Sequence, residues 1–188
     1  MKLDFRQLTI TSIIFGFFLI PIHEFGHVIC DWITGHPAAM SYARDHLLSN
    51  GDTPFLGLLG GPSLPLILSA VSVMFIYRRI KISIFYPIAI IGTFDRLVLY
   101  LSGMLPSDER NLAGMVGWNI YAFKYLFLSC ETLVLLLVLI SLIKYKIGVK
   151  QIIPVFVIPI LSFVVGAAIG VFVVERYVFP VQFKIQFG

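Results

Sequence analysis

The chain has 188 residues, 59% of them hydrophobic and 13% charged, with a formal net charge of +4 and a mean hydropathy of +0.95. Soluble domains carry about 25% charged residues, so these values exclude a soluble enzyme or binding module, and the length has room for one domain, residues 1–188. With no basic stripe and no recognisable binding motif, a nucleic-acid partner is not expected.

Hydropathy gives about five candidate spans, at residues 8–31, 55–77, 82–104, 122–143 and 152–174. Each is near the ~20 residues needed to cross a bilayer. Backbone groups in lipid must be satisfied internally, which predicts helices. The expected fold class is therefore all-α: a polytopic integral membrane bundle of about five transmembrane helices in the lipid bilayer. Lys2 and Arg6 precede the first apolar run as in a signal peptide, but the run is too long and lacks a small-residue cleavage site, so a retained span is predicted. Lys2, Arg6, Arg78, Arg79, Lys81, Lys144, Lys146 and Lys150 fall on one side of this topology, and Arg44, Arg110, Lys124, Arg176 and Lys184 on the other. That bias predicts a cytoplasmic N-terminus. Cys30 and Cys130 lie in or beside apolar runs and read as small packing residues rather than a disulfide.

The first span contains His23-Glu24-Phe25-Gly26-His27. On a helix this HExxH spacing puts both imidazoles on one face, one turn apart, with Glu24 about 100° round from His23. Two His so placed bind zinc, and the Glu polarises the metal's water. Reading the His as plain packing residues leaves three ionisable groups at ligand spacing, in a segment suited to lipid, without explanation. Zn²⁺ is thus the expected cofactor. Pro21 removes the helical hydrogen bond to the Phe17 carbonyl and predicts a kink just before the motif. Asp31, one turn beyond His27, is placed either to orient that imidazole or to mark the end of the span.

The polar stretch 35–54 is rich in turn residues. Its His36 and His46 are further ligand candidates, although a loop His is more often simply solvated. Gly57 and Gly61 share one face of the second span, which permits a close helix approach. The third span holds Asp95-Arg96 in its middle, a costly pair unless it faces a polar interior. After Leu105-Pro106, the run Ser107-Asp108-Glu109 reads as a helix start with Ser107 or Asp108 as the cap. Glu131 lies in the fourth span, and Glu175-Arg176 closes the fifth at an expected interface. Residues 181–187 alternate apolar and polar, as an edge strand or a loose terminus would.

With these residues assembled, the chain resembles the site-2 protease family of intramembrane zinc metalloproteases. The likeness rests on Ile22-His23-Glu24-Phe25-Gly26-His27 in a span, followed by Gly60-Gly61-Pro62 opening the next. It covers a core of about residues 8–115 and leaves helices at about 119–175 outside it. Two departures stand out: Pro65 occupies the place of a common Asn, and no Leu-Asp-Gly occurs. The resemblance implies zinc held by His23, His27 and an Asp, Glu24 as catalytic base, Gly60, Gly61 and Pro62 near the site, and membrane-protein substrates. For the third ligand Asp95 follows the family order in the next span, whereas Asp108 follows a proline-broken turn. Asp108 is preferred because a carboxylate in a turn is easier to aim and hydrate, with Asp95 as the alternative. Other readings are a non-catalytic zinc-binding membrane protein or a small proton- or ion-coupled transporter, the latter weakened by the missing repeat symmetry.

Overall fold

Five helices long and apolar enough to cross a membrane run through the computed structural model, which describes residues 3–48 and 53–178 apart from the side chains of His46 and Asp95. They are α1 (Phe5–Ile33), α2 (Phe55–Tyr77), α3 (Ile82–Leu101), α5 (Ala122–Lys144) and α6 (Val149–Ile169); a short α4 (Ser107–Val116) lies between α3 and α5. The predicted all-α, five-span architecture is what the chain adopts. Ends differ by a few residues: α1 begins earlier because the Asp4 carboxylate accepts the Gln7 N–H at 3.1 Å. The sixth helical stretch is longer than predicted, since α6 continues through a π-helical turn (Gly170–Glu175) to Val178. Residues 181–187, read as a possible strand, lie outside the described residues.

The helix α1 is the axis of the assembly, packing against α2, α3 and α6. Its contact with α2 is backbone to backbone. A Cβ added at Gly26 would come within 2.3 Å of the Gly60 carbonyl oxygen, and one at Gly60 within 2.1 Å of the Gly26 oxygen. Only glycine on both helices permits this approach. One apolar core, with Leu8, Ile76, Tyr86, Ile90, Val138 and Leu142, fills the bundle at the end where α1 begins. A second, with Leu58, Tyr100, Leu112 and Phe127, seats α4 at the other end.

Beyond α1 the chain forms more than the turns expected for 35–54. Strands β1 (Ala38–Met40) and β2 (Asp45–Leu47) pair antiparallel, with Ala38 opposite Leu47. The Trp32 indole N–H donates to the Ala38 carbonyl at 2.9 Å and ties the ribbon to α1. The connecting Ser41-Tyr42-Ala43 is pinned on both sides. The Tyr42 hydroxyl donates to the Phe17 carbonyl, the group that Pro21 leaves without its helical donor, and lies 3.3 Å from the Gly166 carbonyl of α6. Burial pushes that hydroxyl up to about 12, so it remains a donor at neutral pH. The Glu175 carboxylate accepts the Ser41 hydroxyl at 2.8 Å and the Ala43 N–H at 3.1 Å. Glu175, expected at the interface, is buried because the π-helical turn aims it at this loop.

Replacing Tyr42 by Phe keeps the ring and strands the Phe17 carbonyl. Thermal unfolding in detergent should then show a loss of about 1–3 kcal/mol. An unchanged transition would mean that water satisfies the carbonyl instead.

Candidate metal centre

His23 and His27 point from one face of α1, as 3.6 residues per turn requires, with ring centroids 4.9 Å apart. Their Nε2 atoms are 3.2 Å apart. The Asp108 Oδ2, from the first turn of α4, lies 3.2 Å from His23 Nε2 and 3.6 Å from His27 Nε2. The expected capping role of Ser107 or Asp108 is corrected here. Pro106, in extended conformation, holds the N-cap position without a side-chain bond, and the Asp108 carboxylate turns away to the imidazoles. The side chain of the alternative, Asp95, lies outside the described residues.

Three donors around a tetrahedral zinc at 2.0–2.1 Å would be separated by about 3.3–3.4 Å. The observed edges of 3.2, 3.2 and 3.6 Å are close to that spacing, with the Arg96 Nη2 lying on two of the three donors, 2.8 Å from His23 Nε2 and 2.6 Å from Asp108 Oδ2. The donor chemistry fits too, being two imidazoles and a carboxylate. Tautomer geometry agrees for His27: its Nδ1 is 2.7 Å from the Gly57 carbonyl, which can only accept. That bond places the proton on Nδ1 and turns the Nε2 lone pair inward. Orientation of His27, assigned above to Asp31 as one option, thus falls to the Gly57 backbone. Asp31 is fully buried beside Gly57, and neither of its carboxylate oxygens has a hydrogen-bond partner among the described residues.

Gly61 lies against the His27 ring, where an added Cβ would come within 2.1 Å of Nε2. Gly60 makes the backbone contact with Gly26, and Pro62 is buried in the first turns of α2. His36 is turned to the Thr34 hydroxyl at 3.2 Å, away from the imidazole pair.

These donors open onto a cavity of about 550 Å³ that Glu24, Arg44, Asp45, Arg96 and Ser107 also line. Glu24, His27 and Asp45 form a second group with donor atoms within 4.8 Å of one another. With Nδ1 engaged by Gly57, His27 has one free lone pair, so the two groups exclude each other. The first supplies two imidazoles and leaves Glu24 free to handle protons.

Arg96 is a feature that sequence reasoning weighed only as a neighbour of Asp95. Its Nη2 donates to Asp108 Oδ2 at 2.6 Å and lies 2.8 Å from His23 Nε2, while its Nε is 3.7 Å from Glu109 Oε1. Burial acts to raise the Asp108 carboxyl, but its polar contacts with His23 and His27 and the Arg96 charge prevail and hold it far below the usual carboxylate range. Glu109 is fully buried and accepts the Tyr100 hydroxyl at 2.6 Å. A mid-span arginine was the available signal for this network; Asp45 and Glu109, in polar stretches, carried none.

Tyr100→Phe deletes the hydroxyl that donates to the buried Glu109 while preserving shape. A loss of about 1–3 kcal/mol in unfolding free energy is expected, and the absence of any loss would place another donor on that carboxylate.

No family model, no curated protein and no solved structure matches the chain, so the chemistry of this centre is argued from its own residues.

Proposed function

We propose that the chain is an intramembrane zinc metalloprotease of the site-2 protease kind, hydrolysing peptide bonds of membrane-protein substrates. One observation carries the reading. Donor atoms of His23, His27 and Asp108, drawn from α1 and α4, stand at the edge lengths of a tetrahedral zinc site, with Glu24 on the wall of the same cavity. Bound there, zinc supplies Lewis-acid activation of water and of a substrate carbonyl.

The protein's own groups do the rest. Glu24 accepts the proton of the attacking water as the new C–O bond forms at the carbonyl carbon. When the C–N bond breaks, the Glu24 carboxyl returns that proton to the leaving amine nitrogen. Gly57 fixes the His27 ring through Nδ1, and Arg96 holds Asp108 by its Oδ2. The substrate segment enters locally unwound, because a helix hides its carbonyls in intrachain bonds. The cavity lies against the β1–β2 turn, where Ala43, Arg44 and Asp45 form its wall.

The test combines metal content and cleavage on protein purified in detergent. Wild type should hold one zinc per chain and cleave a membrane-protein substrate. His23→Ala and Asp108→Asn should lose zinc, whereas Glu24→Gln should keep it and lose cleavage by a factor of at least about 10². Full activity in Glu24→Gln would sink the mechanism. Stoichiometric zinc without cleavage of any membrane substrate would leave a metal-binding protein that is not a protease. Gly61→Ala probes the packing behind the donors. Its methyl group displaces the His27 ring, and zinc affinity should fall roughly 10–100-fold, read by competition with a chromogenic chelator.

A further inference from the structure

Five helices end in the same hydrogen-bonded cap, in which the residue at the C-cap or just after it takes a left-handed conformation. At three of them that residue is glycine: Gly35 (φ 83°), Gly103 (φ 84°) and Gly117 (φ 66°). At the other two it is basic: Arg79 (φ 59°) after α2 and Lys146 (φ 52°) after α5. The cap bonds are otherwise alike. Ile80 N–H donates to the Phe75 carbonyl at 3.0 Å, as Met104 does to Leu99 and Ile147 to Leu142. A side chain at this position costs backbone energy that glycine avoids.

The two exceptions are neighbours. The Tyr145 hydroxyl donates to the Tyr77 carbonyl at 2.9 Å and locks the α2–α3 turn to the α5–α6 turn. The Arg79 guanidinium lies over the Tyr145 ring at 5.1 Å, and the Lys144 ammonium sits 5.9 Å from the same ring. Arg79, Lys144, Tyr145 and Lys146 line one recess of about 290 Å³. Among the described residues no carboxylate pairs with any of these three cations. This is the end of the bundle where α1 begins, since the Asp4 N–H donates to the Ser83 hydroxyl at the start of α3.

Helix dipoles do not account for the placement. Arg78 at the C-cap of α2 and Lys144 in the last turn of α5 already supply that favourable charge without strain. A topology bias would likewise be met by a basic residue anywhere in the turn. What Arg79 and Lys146 add is convergence: with Lys144 they line one recess beside Tyr145, and among the described residues no carboxylate pairs with any of them.

We propose that this recess is a binding site for a phosphate group, and that its occupant is the headgroup of an anionic phospholipid. A basic pocket between spans at the membrane surface is suited to such headgroups. The tyrosine gives the cations a rigid floor, and Ile80 and Ile143, next in sequence to the lining Arg79 and Lys144, are exposed apolar residues suited to acyl chains. The site is independent of the chemistry at the metal centre.

The experiment uses full-length protein in nanodiscs of phosphatidylcholine with or without phosphatidylglycerol, with retained lipid read by native mass spectrometry after release. Arg79→Gly combined with Lys146→Gly removes both charges yet installs the residue these caps favour, so folding is preserved and is checked by the melting temperature in phosphatidylcholine. Wild type should retain phosphatidylglycerol selectively. The double variant should lose that preference by roughly thirtyfold, at about fivefold per cation. Equal retention by wild type and double variant would overturn the site. Displacement of the lipid by millimolar inorganic phosphate, in wild type alone, would overturn the lipid assignment in favour of soluble phosphate.

Discussion

The backbone contact between α1 and α2 is the constraint on which the centre depends. Gly26 and Gly60 let the two helices touch without side chains between them, and everything nearby inherits its position from that contact. It brings the Gly57 carbonyl within 2.7 Å of His27 Nδ1, so a backbone acceptor, which cannot rotate away, sets the tautomer of a side chain on another helix. It also lays Gly61 flat against the imidazole. The HExxH spacing alone makes two His share a face; the glycine contact decides which way one of them points.

A second set of contacts connects Pro21 in α1 with the cavity wall. Pro21 frees the Phe17 carbonyl, and a membrane offers no water to satisfy it. The Tyr42 hydroxyl does so, and in doing so anchors the loop whose next residues, Ala43 to Asp45, line the cavity. Glu175 holds the same loop from the π-helical turn after α6. The helices after α4 are therefore not passengers. The last of them fixes one side of the cavity through a single carboxylate.

The spans were legible because hydropathy over some twenty residues is a long, redundant signal; α2 begins and ends where the sequence places it. The HExxH residues were legible because their spacing is a helical period. Legibility stopped where a side chain's partner lies far along the chain. Asp108 was preferred to Asp95 only because a carboxylate in a turn is easier to aim and hydrate, against the chain order that favoured Asp95, and it read equally well as a helix cap. Gly57 offered a packing glycine in sequence; its carbonyl, which receives His27, leaves no trace in residue identity. Tyr42 and Glu175 are separated by 133 positions, and no local pattern joins them to each other or to Pro21.

Formal charge gives the cavity a further coherence. Among the described residues, Glu24, Asp45 and Asp108 face it and Glu109 lies behind Arg96, against the guanidinium groups of Arg44 and Arg96. Carboxylates thus outnumber guanidiniums in a region bounded by apolar helices, and Asp31 adds another beside Gly57. An unbalanced charge in such a place is expensive. A divalent cation held by His23, His27 and Asp108 would offset part of that excess. Arg96 takes up part of the charge of Asp108 and faces Glu109, but its Nη2 also lies 2.8 Å from His23 Nε2 and would have to leave that nitrogen before a cation could be held there. A carboxylate shared between a guanidinium and a cation binds the metal less tightly than one devoted to it, but it is also held at one angle. In a site built from two helices and a turn, that fixed angle is what the turn cannot provide by itself.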